Sequence, residues 1–502
     1  MNKKLLAAIM FCAFAFGACQ KESNNPDEEQ ILETPGSFQE TAMITLGGET
    51  AAEISTYDPI SKRLFVVNNE GGVKVDVIDL SKYPIVTKLQ TLNYSAVSSG
   101  VNSVAVYNGI LAIAVNGLDK QDNGKVIILN ATTFKQVCLV TVGAMPDMVI
   151  FSPDGKYIVT ADEGEPSADY VNDPLGTISI IDTENKYAVK TLNFAGFEGG
   201  KAALFAAGFR VFGLNASFSK DIEPEYITIR DDSRKAWVTL QENNGIAEVD
   251  LVSGTIIRIM PLGTKDISKP QSAFDVSDKD GKIELKTWPV QSFYLPDAIS
   301  HFVSNGKSYL ALANEGDTRD YDAFAEEIRV KDMILDPTRF GDAASLQLEA
   351  NLGRLIVTNT QGDTDGDGDI DVIYGFGGRS VTILDAVTGS LVAEIGKDLE
   401  ERVISAGKYD DGRSDNKGVE VESVIVAKVN GANTAFIGME RADMIAVYDV
   451  SNPAKPKFLQ LLNTGDAPEG LLFIKATDSP NGRNMLVVSC EGDGTVHFYQ
   501  SE

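Results

Sequence analysis

The chain has 502 residues, 43% hydrophobic and 23% charged, the balance of a folded globular protein and not of a disordered chain. Acids outnumber bases 72 to 44, a net charge of −28 that repels nucleic acid and anionic lipid and attracts cations, which excludes nucleic-acid binding. With two histidines (His301, His497), four cysteines (Cys12, Cys19, Cys138, Cys490) and no GxSxG, GxxxxGK[ST] or GxGxxG, chemistry falls to carboxylates, amides, Lys, Arg or a hard cation.

Lys3 and Lys4 precede an apolar run over 5–16 that ends Phe16-Gly17-Ala18-Cys19. Residues 1–18 read as a lipoprotein signal peptide with Cys19 as the lipidated residue, although Phe16 is unusual at its lipobox position; a short membrane anchor is the alternative. Cleavage removes two lysines and takes the charge from −28 to about −30. Residues 19–40, with Glu22, Pro26, Asp27, Glu28, Glu29 and Pro35, read as a flexible tether. The expected location is extracytoplasmic: a lipoprotein of the bacterial outer membrane, at the cell surface or periplasmic face, touching the membrane only through its lipid. Cys138 and Cys490 lie in apolar runs and are expected as buried free thiols.

Residues 41–502 read as one domain built from a repeated unit. Each unit has an acid-led strand, a turn, a second strand ending in Glu, then a third and a fourth strand. The second strands end at Glu70, Glu163, Glu242, Glu315, Glu440 and Glu491, and a copy over 112–117 lacks the acid. Third strands follow at 73–80, 125–130, 177–182, 246–251, 380–385, 444–450 and 495–499, and the first two strands are joined by turns such as Asp154-Gly155 and Asn305-Gly306. Four antiparallel strands repeated seven times predict an all-β fold, a seven-bladed β-propeller; a β-sandwich or solenoid is the other architecture. The last copy stops after its third strand, so a strand at 42–46 is expected to complete it and remove the free edges.

Acids also stand before the first strands: Glu53, Asp147, Glu225, Asp297, Glu422 and Glu469, with Asn102 in the acid-poor second unit. In a propeller both sets open on one rim, where so many carboxylates cannot all ionise without counter-charge. The economical neutraliser is Ca²⁺, whose larger, irregular oxygen shell suits donors from separate loops better than Mg²⁺ does. The alternative is that each acid accepts backbone N–H groups and fastens neighbouring blades.

Two insertions are expected on the same face, one over 194–221 with an Ala-rich helix stopped at Gly208, the other over 317–378. They carry Lys201, Arg210, Arg319 and Arg329, which either clamp an anionic ligand or pair with rim carboxylates. The second contains Asp363-Thr364-Asp365-Gly366-Asp367-Gly368-Asp369-Ile370-Asp371, with acids at positions 1, 3, 5, 7 and 9 and glycine at 6 of a calcium loop. Position 12 is Tyr374, so the bidentate Glu of an EF-hand is missing. An ion-free acidic turn is the alternative, and Asp275 to Gly281 is a weaker loop of the same kind.

Ala161-Asp162-Glu163-Gly164-Glu165-Pro166, Glu223-Pro224-Glu225-Tyr226-Ile227, Ala313-Asn314-Glu315-Gly316-Asp317 with Arg319-Asp320-Tyr321, the loop over 362–371 and Ala467-Pro468-Glu469-Gly470 closely resemble the choice-of-anchor I family from about residue 40 onward. The resemblance implies a seven-bladed propeller on secreted or surface-tethered proteins with varied anchors. Relatives so implied include mesenchyme-specific cell surface glycoproteins and proteins labelled atypical alkaline phosphatases; the resemblance supplies no catalytic residues. Two functions are expected to compete. The first is a lipid-anchored, monomeric, calcium-binding propeller that binds a ligand or matrix component on its acidic face, the partner being a phosphorylated or other anionic molecule held through metal. The second is a calcium-dependent phosphoric monoester hydrolase, similar to alkaline phytases and calcium-dependent alkaline phosphatases, in which a basic residue beside the metals stabilises developing charge.

Overall fold

The computed structural model describes residues 33–501; the segment read as signal peptide, with Cys12, the expected lipidation residue Cys19, and the part of the expected tether up to residue 32 lie outside the described residues. Short runs of Val, Ile, Leu and Ala broken by Asn, Asp and Gly turns form strands. They build seven four-stranded antiparallel sheets, taken here in chain order. Sheet one is Ser55–Asp58, Arg63–Asn68, Lys74–Lys82 and Ile85–Asn93. Sheet two runs from Val101–Tyr107 to Gln136–Ala144, sheet three from Pro146–Phe151 to Ala188–Leu192, and sheet four from Pro224–Ile229 to Thr255–Pro261. Sheet five is Ile299–Ser304, Lys307–Asn314, Ser380–Asp385 and Leu391–Ile395; sheet six runs from Val421–Val429 to Lys457–Asn463. Sheet seven takes Pro468–Ile474, Met485–Cys490 and Thr495–Ser501.

First strands of successive sheets touch and surround a channel, the arrangement of a β-propeller, while fourth strands lie outermost. Second strands are buried on both faces and so read as continuous apolar runs. The core sits between sheets: Phe65, Val67, Val75 and Val77 of sheet one pack on Val104, Leu111 and Ile113 of sheet two. Of the two cysteines, Cys490 is buried as expected, but Cys138 is only half-buried, because it lies on an outermost strand with one face to solvent; both are free thiols.

The fourth strand of sheet seven is Phe38–Thr45, paired antiparallel from Phe38 opposite Ser501 to Thr45 opposite Thr495. It is longer than the strand expected at 42–46 and starts inside the segment read as tether. Within the same segment, buried Glu33 accepts a hydrogen bond from the Asn484 backbone N–H at 2.7 Å. Phe38 is fully buried, edge-on to Phe436 with ring centroids 5.0 Å apart. A polar composition hid these two anchors, whose partners lie more than 390 residues away in sequence.

A second layer was not foreseen. Thr264–Asp266 and Val290–Phe293, between sheets four and five, join Glu327–Arg329, Ile356–Thr358 and Ile373–Gly375 of the 317–378 insertion in a five-stranded sheet with one parallel pair. Its separate core includes Phe274, Val330, Leu352, Val357 and Ile373. A helix, Lys397–Ala406, follows sheet five and ends at left-handed Gly407. The helix expected in the first insertion is Lys201–Ala206.

Truncating buried Phe38 to Ala is expected to remove about 3–5 kcal/mol. The readout is a lower urea midpoint; an unchanged midpoint would show that this strand does not hold sheet seven.

Candidate functional site

A shared irregularity positions the channel acids. Where first strands pair with second strands, the register skips Asn102, Asp147, Glu225 with Tyr226, Glu422 and Glu469. A bulged residue loses its ladder partner and its side chain is re-aimed, here inward. Glu53 and Asp297 stand just ahead of their strands, their N–H groups donating to Val67 O and Ala313 O. Met145, Leu295, Glu420 and Ala467, each two residues ahead of an acid, have φ of 47°, 45°, 52° and 53°. That conformation costs a non-glycine residue about 1 kcal/mol or more, so the surrounding structure imposes it.

Glu53, Asn102, Asp147, Glu225, Asp297, Glu422 and Glu469 consequently line one end of a channel of about 540 Å³, with Tyr226, Gln241, Glu315 and Asp317. Further in, the wall becomes apolar through Val104, Val106, Val149, Phe151, Leu471 and Leu472. Of the second-strand glutamates, Glu315 lines the channel, Glu163 and Glu242 act on Glu225, Glu440 acts on Glu422, and Glu491 acts on Glu469. Glu70 does not join them. It is exposed in a tight turn and accepts from Gly48 N–H at 3.0 Å, while Asn69 takes the inward place and donates to both Glu53 oxygens.

Burial, then repulsion among neighbours, raises these carboxyls. Glu53 reaches about 8 by burial and the charges of Glu491 and Asp147, against a hydrogen bond from Asn69. Burial and Glu165 take Asp147 to about 7. Glu440 also reaches about 7, through burial and Glu420. Burial holds Glu163, Glu225, Glu242, Asp297, Glu422 and Glu469 well above the usual carboxylate range, with the charges of neighbouring acids adding to it. The buried Oε2 atoms of Glu242, Glu422 and Glu469 accept no hydrogen bond. Asp297, Glu315 and Glu422 bring carboxylate oxygens within 4.8 Å of one another.

Of the two expectations for the four basic residues, anion clamp or carboxylate pairing, pairing is what the geometry shows, with acids outside the rim set. Lys201 pairs with Glu198 at the surface. Fully buried Arg210 pairs with Glu326 and stacks on Phe212, 4.0 Å from the ring centroid. Arg319, 2% exposed, donates to Asp221 at 2.7 Å and Glu223 at 3.0 Å. Arg329 pairs with Asp415 at 2.6 Å. Their proximity to acids of other segments, invisible in sequence, decides this. Among the described residues, Lys417, from the segment between sheets five and six, does reach channel acids, donating to Glu315 at 2.7 Å and Asp317 at 2.8 Å.

In the 363–371 loop, Asp363, Asp365 and Asp371 gather within 4.8 Å, and Asp369 and Asp371 do so with Asp336. Asp367 turns to the backbone and accepts from Asp369 N–H at 3.2 Å. Asp336, from outside the loop, is brought alongside by its N–H donating to Ile370 O at 3.0 Å. The weaker loop dissolves into structure: Asp275 accepts from Glu284 N–H, and Asp278 pairs with Arg354 at 2.7 Å. Sequence reasoning missed Glu165, Asp317, Lys417 and Asp336 as site residues. An acid-Gly-acid pattern, Glu163-Gly164-Glu165 and Glu315-Gly316-Asp317, marked the first two.

These features define an all-β propeller with an acid-lined channel mouth, and among the described residues no helix is long and apolar enough to cross a membrane. The choice-of-anchor I domain matches residues 53–453, and the chain belongs to that family. It is similar to Gigasin-3a of Magallana gigas, 28% identical over 189 residues covering 31% of this chain and 66% of that protein. It is also similar to the mesenchyme-specific cell surface glycoprotein of Strongylocentrotus purpuratus, 26% identical over 306 residues covering 51% of this chain and 39% of that protein. The match therefore spans less than two thirds of either relative. Among solved structures, hydrazine synthase of Kuenenia stuttgartiensis superposes with a TM-score of 0.50 at 12% identity, over 90% of this chain and 96% of that one, a likeness of fold alone.

A carboxyl whose folded pKa is raised stays protonated in the folded state after the unfolded chain has lost its proton, so its stabilisation fades as pH rises through the folded value. In chelator, stability is expected to fall between pH 4.5 and about 8, the window set by Glu53, Asp147 and Glu440. Each pH unit removes about 1.4 kcal/mol per such carboxyl. Thermal melts across that range check it, and a Tm that rises toward pH 8 would contradict it.

Proposed function

We propose that the chain is an exported, surface-held propeller of seven blades, sealed by Phe38–Thr45, whose channel mouth binds Ca²⁺ and through it engages an anionic ligand or matrix component. The observation that carries this reading is the Asp297, Glu315 and Glu422 trio: three carboxylates from separate segments within 4.8 Å, with Glu422 Oε2 buried and unpartnered. An all-oxygen donor set of net negative charge fits a hard cation, and donors on independent loops fit Ca²⁺. The 363–371 loop with Asp336 is a second Ca²⁺ site, placed to stiffen the insertion. Surface display is supported by family membership, by the printed name of the sea-urchin relative and by the lipobox-like Phe16-Gly17-Ala18-Cys19, which makes a lipid on Cys19 the outer-membrane anchor.

Binding is favoured over phosphomonoester hydrolysis by the fate of the basic residues. A phosphatase needs a cation free to meet developing phosphate charge beside the metals. Arg210, Arg319 and Arg329 are held in protein ion pairs, Lys201 lies in a surface pair, and Lys417 is shared among three acids, Glu315, Asp317 and Glu420.

Calorimetry and thermal melts after chelation test the reading. Saturating Ca²⁺ at about 100 times Kd is expected to add about 2.7 kcal/mol. That gain should disappear at the channel in Glu422→Gln or Asp297→Asn, with no turnover of p-nitrophenyl phosphate at alkaline pH. Calcium-dependent turnover lost in Glu315→Gln would establish the hydrolase instead, and neither heat nor a shift in Tm would remove Ca²⁺ from the account.

A further inference from the structure

Both oxygens of Glu315 are engaged by the chain itself. Oε1 accepts from Lys417 Nζ at 2.7 Å and Oε2 from Gln241 Nε2 at 2.8 Å. Lys417 is 8% exposed, and its ammonium also meets Asp317 at 2.8 Å and Glu420 at 3.3 Å. Three ammonium protons thus face three carboxylates. The same charge bears on Asp297, a second member of the channel trio. A cation supplied by the protein therefore sits at the edge of the place where Asp297, Glu315 and Glu422 bring their oxygens within 4.8 Å, and all three of those acids line the channel. Glu422 Oε2, by contrast, is buried without a donor.

Two positive charges that share Glu315 repel one another, and away from bulk water that repulsion is poorly screened. The chain provides Lys417 with another resting place. Arg413 at 2.6 Å and Arg441 at 2.9 Å hold Glu420 through its other oxygen, so this carboxylate stays in position whichever way Lys417 turns. The Asp317 side chain is 54% exposed and has room to follow the ammonium. Gln241 keeps Glu315 aimed at the channel once Lys417 has left it. A lysine on its flexible four-carbon stem makes such a short swing without moving the backbone.

We propose that Lys417 is a tethered competitor of the metal: it holds Glu315 in the ion's absence, and Ca²⁺ entering the Asp297, Glu315 and Glu422 trio displaces its ammonium onto Asp317 and Glu420. The inference rests on the calcium reading of the channel and adds to it the residue that sets the affinity. Lys417 weakens the hold on the ion and stabilises the unloaded mouth, so its two effects have opposite signs.

Calcium chloride titrated calorimetrically into the full chain, stripped with chelator and dialysed, tests the proposal, the channel component being the heat that Asp297→Asn removes. Lys417→Met keeps an unbranched side chain without the charge. It is expected to bind channel Ca²⁺ about tenfold or more tightly than wild type, while its Tm in chelator falls. Lys417→Arg, which keeps the charge, should bind no tighter than wild type. A lysine that only held the fold together would give the opposite result, weaker Ca²⁺ binding on its removal. Where circular dichroism shows Lys417→Met unfolded, acetylation of the wild-type protein by acetic anhydride decides. Mass spectrometry should then find Lys417 labelled several-fold faster in saturating Ca²⁺ than in chelator, because release from Glu315 loosens the amine's hold on its proton. Channel binding no tighter in folded Lys417→Met, or a labelling rate unmoved by Ca²⁺ where that variant does not fold, overturns this inference and leaves the calcium reading standing. Wild-type Ca²⁺ heat untouched by Asp297→Asn overturns both.

Discussion

Like charges confined to a desolvated channel mouth are the constraint on which the rest of this molecule turns. Ordinary sheet pairing would let the acids splay outward into water. Instead each is displaced from its ladder by a bulge or by its place just ahead of the strand, and four are preceded by a backbone turn of a kind that non-glycine residues resist. Local strain and mutual repulsion act in the same direction, against the folded state, and both are imposed by packing between sheets that buries second strands on both faces.

The insertions answer that charge from outside the ring. Arg319, from within sheet five, reaches Asp221 and Glu223 ahead of sheet four; Arg210 crosses the other way to Glu326. The segment after sheet five sends Lys417 to Glu315 and Asp317, and Arg379 holds Glu400 of the Lys397–Ala406 helix. Buried pairs of this sort add little net stability against a well-packed apolar alternative, because desolvation consumes much of the Coulomb gain. Breaking one is costly, however, so they fix where each insertion lies more firmly than they hold the protein together. The five-stranded sheet with its own core gives these arms a rigid base.

Repeats made the fold legible. Every second strand and every third strand was visible as an apolar run in a recurring order, and the acids ahead of first strands were readable because prolines such as Pro146, Pro224, Pro296 and Pro468 flag them. The second layer was not legible: Val290–Phe293 pairs with Ile373–Gly375 across about 80 residues, and three-residue strands carry no period. At the site the failure was one of direction. Glu70 fits the repeat yet turns outward because Asn69 fills its place, and for Arg210 and Arg319 the sequence left clamp and ion pair undecided because their carboxylate partners lie far off in the chain. Lys417 sits in a stretch with no pattern at all.

The borrowed strand of sheet seven has a mechanical meaning. A pull applied at Glu33 would load the body at one seam, where Phe38–Thr45 lies beside Thr495–Ser501. Before any ladder bond is loaded, the pull meets Glu33 on Asn484 and then the Phe38 ring wedged against Phe436. Those two contacts, made by a buried carboxylate and an aromatic ring outside the acidic channel, stand between such a pull and the ladder of the seam.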